Sequence, residues 1–331
     1  MTNLAQYLSA FLREYLPCER RASPNTCETY AYTFQLLVCY AANRVKLPPS
    51  KLTIEQLDVT LIVDFLNYLE KERGNSPRTR NARSAAIKAF FRFLEYRTVS
   101  CLDQSRRIHA IPMKKVDEKL ITHLTHQEIQ SLLDAPDPHT LSGIRDRAML
   151  HLCFAAGLRV SELIGLHLSQ LELHPLPTIH VMGKGRRERV LPLWKETATV
   201  IKAWIALRPE TTVPELFLNA RGQAMTRSGF EYILSKHIEV ATLKQPSLKN
   251  KRISPHSLRH ACAMSTLKAT HDVRKVSLWL GHASLKSTEI YLRADPSEKL
   301  EALMSVVPPN LRSGKFRAPD KLLAMLKAKN K

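Results

Sequence analysis

SPHSLRHACA, residues 254–263, is followed seventeen residues later by LGHASLKSTEIYLRAD, residues 280–295. Ser254 and Pro255 make a helix start, because proline at the first helical position gives up an N–H that the helix does not use. His256 and Arg259 stand three apart and project from one face of the first turns. Free N–H groups at a helix start also favour an anion. Singly, each residue has an ordinary reading. His256 and Arg259 can be exposed polar groups, His282 a capping residue and Tyr291 a half-buried helix tyrosine. A metal held by His256 and His260, four apart, lacks the acidic neighbour of an H-E-x-x-H motif. The alternative is that the two stretches are halves of one site.

Two more stretches bear on that question. Arg159 lies in AAGLRVSEL (155–163), just after a glycine and inside an apolar run. A charge there must reach solvent, a carboxylate or a ligand, since an unpaired buried charge is costly. Glu162, three residues on, is the ordinary partner. Lys184 lies in GKGRRER (183–189), where two glycines let the backbone approach something closely. The run is no phosphate-binding P-loop, because G-x-x-x-x-G-K-S/T is missing. Two short β-rich runs flank it, so TIHVMGKGRRERVLPL predicts a hairpin.

Taken together, Arg159, Lys184, His256, Arg259, His282 and Tyr291 are what phosphoryl transfer through a tyrosine ester requires. Arginines neutralise the non-bridging oxygens of a pentavalent phosphate. A histidine takes or shares the tyrosine proton, whose ordinary pKa of about 10 makes the phenol a poor nucleophile at neutral pH. A lysine on a turn can protonate a leaving 5′-oxygen.

Composition agrees with a nucleic-acid partner. The chain has 331 residues, 50 Lys and Arg against 30 Asp and Glu, and a formal net charge of +20. So much positive charge repels itself unless a polyanion neutralises it. The excess is spread over the chain: 16 basic against 10 acidic residues up to position 110, and 34 against 20 beyond it. No apolar run reaches the ~20 residues of a membrane span, and no signal peptide is read at the N-terminus, so a cytoplasmic protein is expected. The six cysteines form no C-x-x-C pair and read as buried small hydrophobes in a reducing cell rather than as zinc ligands.

The first hundred residues look helical. SPNTCETYAYTFQLLVCYAANRV begins with Ser23 as N-cap and Pro24 at the first helical position. TIEQLDVTLIVDFLNYLEKERG begins at Thr53, with Gln56 as in a capping box, and stops at Gly74. SPRTRNARSAAIKAFFRFLEYR repeats the Ser-Pro start at Ser76. Its apolar stripe is Ala86, Phe90, Phe91 and Leu94, and Arg78, Arg80, Arg83, Lys88 and Arg92 offer a basic face to DNA. Residues 98–119 show no periodicity and read as a linker. Thr125 with Glu128 caps a new helix. A helix pair broken at Gly157 follows, then the hairpin, then mainly helices. The end of the chain is a basic tail with a short amphipathic piece near Leu322.

The ordered set GLRVSEL, the Lys184 hairpin, HSLRH, LGHAS and STEIYLRA resembles the tyrosine recombinase, or phage integrase, family. The nine-residue step from His282 to Tyr291 fits it too. SPNTCETY and SPRTRNARSAAIKAFFRFL resemble its core-DNA-binding domain, so the likeness spans about residues 1–306. The resemblance implies a mainly α fold with a small β-sheet, arranged as a C-shaped DNA clamp. It implies a helical core-binding domain at 1–105, a linker at 106–119, a catalytic domain at 120–306 and a tail at 307–331. Tyr291 would attack the scissile phosphate, forming a 3′-phosphotyrosine and releasing a 5′-hydroxyl. Arg159 and Arg259 would clamp the phosphate, His256 assist the tyrosine proton, His282 bond the phosphate and Lys184 act as general acid, with Glu162 in support. No cofactor and no metal is implied. The partners implied are double-stranded DNA and three further copies in a tetramer, with other recombinases as further candidates. The implied tasks are integration, excision or transposition of a mobile element, and the missing arm-binding domain leans towards a transposon- or plasmid-borne enzyme. Type IB topoisomerase action and a silent DNA-binding regulator on the same scaffold are the alternatives. One departure is His271, where relatives often carry glycine; KLEALMSVV (299–307) would dock on a neighbouring subunit.

Overall fold

The computed structural model describes residues 3–117, 124–183, 187–282 and 284–294. Lys184, the KLEALMSVV segment and the 307–331 tail lie outside the described residues. The chain divides into two compact units, Met1–Glu118 and Lys119–Lys331.

The first unit is helical. Asn3 caps α1 (Leu4–Ala10) through its side chain, and the chain runs on as a π-type helix over Phe11–Glu19. The two Ser-Pro starts behave alike: Ser23 opens α2 (Pro24–Val45) and Ser76 opens α4 (Pro77–Glu95), each serine oxygen accepting the N–H three residues on. Between them α3 (Val59–Lys71) starts later than the expected Thr53. Gln56 does accept the Thr53 N–H at 3.0 Å, but this closes a turn, and Asp58 makes the true cap by accepting from Leu61 N at 2.7 Å. The core is aromatic: Phe11, Phe34 and Phe90 are fully buried, with ring centroids 5.1–5.9 Å apart.

The stretch read as a linker contains α5 (Leu102–His109), which packs on α4 and buries Ile108. Only Leu102 and Ile108, six apart, are apolar in this short helix, too few for periodicity to show. Beyond it, Asn81 pairs with the Lys114 backbone through two hydrogen bonds of 2.8 and 3.0 Å. The expected basic face of α4 is also partly used inside the unit. Arg80 is buried beside Glu70, Arg83 donates to Thr29 O and Thr33 Oγ1, and Lys88 donates to the carbonyls of His109 and Ile111. Arg78 and Arg92 remain exposed.

The second unit opens with α6 (His126–Leu133), capped by the expected Thr125–Glu128 box. Lys251 and Ser247 each reach Glu128 at 2.6 Å. Burial alone would push that carboxyl up, but these hydrogen bonds hold it down at about 2. Helix α7 (Leu141–Ala155) packs against α9 (Lys195–Leu207) and α11 (Pro255–Thr270) and is the central helix of the unit. Short α8 (Val160–Ile164) follows the Gly157 break. Three antiparallel strands, β1 (Leu171–Glu172), β2 (Thr178–Met182) and β3 (Glu188–Pro192), lie in the order β1-β2-β3. Ile179, Val181 and Leu191 point inward with the period of two that strands impose. Helices α10 (Arg227–Lys244), α12 (Val273–Leu280) and α13 (Glu289–Ala294) complete the unit.

His271 ends α11 at φ 49° and ψ 26°, a left-handed cap that glycine would take without cost. Of the cysteines, Cys101, Cys153 and Cys262 are buried as expected, whereas Cys18 and Cys39 are exposed. No helix among the described residues is long and apolar enough to cross a membrane.

Candidate active site

Gly157 is the first fixed point. It ends α7 at φ +57°, and a Cβ there would come within 2.6 Å of Leu280 Cδ2 and 3.1 Å of Cys262 Sγ. Only glycine lets this turn lie against α11 and α12. The turn delivers Arg159 to the start of α8. There its N–H and Nη1 reach the Glu162 carboxylate at 3.0 and 2.6 Å.

Arg259 projects from the second turn of α11 into the interior and is 1% exposed. It donates Nη1 to Gly157 O and Nη2 to Leu280 O. These use two of the five N–H donors of a guanidinium, so the group is held rigidly with donors in reserve. Burial, then the charge of Arg159, lowers its pKa to about 10, which leaves it a cation at neutral pH. Glu162 lies 4.0 Å from Arg259 and also pairs with Arg189, so one carboxylate stands among three arginines. Burial would raise its pKa, but the hydrogen bond and charge of Arg189 outweigh that and hold it below the usual value.

His282 is aimed by its backbone. Gly281 at φ +62° ends α12, and the His282 N–H donates back to Ser277 O at 3.0 Å. This is the six-to-one bond of a Schellman cap. The His282 ring shares a 2.7 Å hydrogen bond with Thr288 Oγ1 and stacks nearly parallel to Tyr291 at 6.4 Å. Tyr291, on the first turn of α13, is 2% exposed. Its hydroxyl lies 2.9 Å from His260 Nδ1.

The structure therefore brings together Arg159, His256, Arg259, His282 and Tyr291. It differs from expectation at the tyrosine oxygen: the histidine in contact is His260, and His256 packs edge-on against His260 at 4.2 Å. Tyr291 approaches α11 one residue round from Arg259, and His260 occupies that position. Arg189 is the second residue that the sequence reading passed over.

The electrostatics follow from burial among cations. Burial raises the Tyr291 pKa to about 12, against the opposing charge of Arg259. Burial also lowers His260 and His282 to about 4, with the neighbouring charges adding to the effect, and lowers His256 for the same reasons. All three rings are neutral at pH 7. The site offers fixed cations, neutral imidazoles and one phenol. Such a set can receive a phosphodiester and attack it. Among the described residues no group of three or more His, Cys, Asp or Glu could hold a metal ion.

Residues 122–298 match the phage integrase family, and residues 8–98 match that family's N-terminal SAM-like domain. The chain belongs to the phage integrase family. A putative integrase/recombinase of Sinorhizobium fredii, y4rC, is 40% identical over 98% of both chains. Tyrosine recombinase XerC of Pelotomaculum thermopropionicum is 33% identical over 84% of this chain and 90% of its own. Among solved structures, XerH recombinase in a post-cleavage complex with its difH substrate superposes with a TM-score of 0.67. It is 23% identical and covers 90% of this chain and 84% of its own. The Tn1549 transposon integrase bound to transposon end DNA gives 0.66 at 18% identity, covering 92% and 98%. These likenesses confirm the expected fold, a helical SAM-like domain followed by a catalytic integrase domain with a small antiparallel sheet. This phage integrase family member is a tyrosine recombinase, an enzyme that transfers DNA strands at specific sites.

Proposed function

We propose that the chain cleaves and rejoins double-stranded DNA through a 3′-phosphotyrosine at Tyr291, to integrate, excise or transpose a mobile element. The observation that carries the reading is the Tyr291 hydroxyl, held by a neutral histidine in a site where Arg159 and Arg259 flank one carboxylate. In the forward step the Tyr291 oxygen attacks phosphorus, its proton passes to His260, and the bond from phosphorus to the 5′-oxygen breaks. The leaving oxygen takes a proton from Lys184. Arg159 and Arg259 hold the non-bridging oxygens, His282 donates to one of them, and His256 backs His260.

The phenol near 12 and the imidazole near 4 make a prior, complete proton transfer unfavourable. The proton therefore moves as the new O–P bond forms. A bound phosphodiester adds negative charge, which raises both histidines towards usefulness. Bond energy is conserved in the tyrosine ester, so rejoining needs no nucleotide, and the roles named require no metal.

The likeness to the Tn1549 transposon integrase supports a transposon-borne element, and that to a lambda integrase tetramer on a Holliday junction supports a tetramer on DNA. Action with other recombinases and a cytoplasmic setting complete the proposal. So do a core-binding domain that takes in α5 and ends near residue 118, and a catalytic domain after it up to about residue 306.

The test is covalent trapping on nicked suicide duplexes built from the DNA flanking this chain's gene. The native protein should give a slow-migrating adduct that survives denaturation, and Tyr291→Phe none. Adduct formation by Tyr291→Phe, or salt-sensitive binding with no adduct from either protein, would overturn the tyrosine ester.

A further inference from the structure

Arg189 lies on β3 opposite Val181 and two residues before Leu191, on the face that points into the core. An arginine at such a position is unfavourable unless its charge is met. Here the fork of its guanidinium meets Glu162, Nη2 to Oε2 at 2.8 Å and Nη1 to Oε1 at 3.3 Å. The side chain is 9% exposed.

Two glycine backbones also lie against that guanidinium. A Cβ at Gly183 would stand 3.0 Å from Arg189 Nη1. A Cβ at Gly281 would stand 3.0 Å from Nη1, 3.1 Å from Cδ and 3.4 Å from Cζ. The plane of Arg189 therefore fills the space that side chains at either glycine would need. This is what the glycine before Lys184 approaches. The three segments that meet at Arg189 each border the site. One carries Arg159 and Glu162, one ends at Gly183 immediately before Lys184, and one is the Gly281 turn immediately before His282. The Gly183 N–H also donates to Arg187 O at 2.8 Å, which fixes this end of the strand pair.

We propose that Arg189 is a positioning residue that docks the β2–β3 hairpin and the Gly281–His282 turn on Glu162, and so sets where Lys184 delivers its proton. The proposal rests on the reading of Lys184 as general acid. Lysine cannot replace Arg189, because a point charge lacks both the fork for the carboxylate and the flat face for the glycines.

The test compares Arg189→Lys with native protein on two nicked suicide duplexes from the DNA flanking the gene. One has an ordinary phosphate, the other a 5′-bridging sulfur that leaves without a proton. On the ordinary duplex Arg189→Lys should cleave about 100-fold slower, the loss a misplacement of about 1 Å produces. The bridging sulfur should restore most of it, and Arg189→Lys should add no loss to Lys184→Ala. Equal slowing on both duplexes, with Lys184→Ala rescued, overturns the proposal. Failure to rescue Lys184→Ala instead removes the acid assignment. Docking is then decided by hydrogen exchange on the free protein. The amides of Gly183 and His282 should exchange faster in Arg189→Lys while those of α7 are unchanged, and unchanged exchange at both sites overturns it. Gly183→Ala, whose new methyl displaces the guanidinium, should reproduce each result should Arg189→Lys fold poorly.

Discussion

In the first unit Phe11, Phe34 and Phe90 meet ring to ring at full burial, whereas in the second Arg259, Glu162, Arg189 and Tyr291 lie at comparable depth. The first interior is held by apolar area and shape, which many aromatic and aliphatic combinations can supply. The second excludes water from charges. It is tolerated because every charge there has a partner: Arg259 two backbone carbonyls, Glu162 the Arg189 fork and Arg159 Nη1. The difference shows where each unit is vulnerable. A deletion in the first should cost stability and leave the chemistry of folded molecules intact. A deletion in the second should cost chemistry out of proportion to stability, unless it strands a charge.

That contrast is sharpest at Glu162. Glu162→Ala leaves three arginines without their shared carboxylate and should cost about 3–5 kcal/mol, as for a broken buried pair. Calorimetry and adduct formation should show both folding and cleavage failing. Phe90→Ala should cost a similar amount, about 3–5 kcal/mol, through its cavity. Cleavage per folded molecule, measured well below its lowered melting temperature, should stay near native. A large loss of cleavage there would break the division between the two interiors.

Next in size is His260→Gln. Removing the group at the tyrosine oxygen should slow adduct formation about 100-fold, the lower end of general acid–base contributions, with melting shifted by only a few degrees. His256→Gln should be milder. The opposite order would return the proton to His256.

The pH response comes next. His260 and His282 lie near 4 in the folded chain against 6.5 ordinarily. The unfolded chain therefore takes up protons that the folded one refuses. Their contribution to stability is complete above about pH 6.5 and is lost as the pH falls towards 4. The melting temperature should drop across that window, and less steeply in a variant with both rings replaced by glutamine. The smallest effect is His271→Gly at the left-handed end of α11, which should stabilise the chain by about 1 kcal/mol.

Most of this architecture was legible because it rests on local chemistry. Ser-Pro starts, the Thr125–Glu128 box, the Gly157 break and the hairpin each announce themselves within a few residues. What was not legible depends on who meets whom. His260 adjoins a motif residue, and nothing in the motif tells which histidine the tyrosine will meet. Arg189 reads as one more cation in a basic hairpin until the sheet turns it inward. Lys88 and Arg83 look like a DNA-facing stripe until α5 and α2 supply carbonyls. Helix α5 itself is too short to show a period.

The most direct measurement of the central claim is to locate the covalent bond. The native protein is trapped on a suicide duplex, the DNA is digested with nuclease, and the peptide carrying the remaining nucleotide is sequenced by mass spectrometry. The account predicts the nucleotide on Tyr291, attached through its 3′-phosphate. A nucleotide on any other residue, or attachment through a 5′-phosphate, would contradict it.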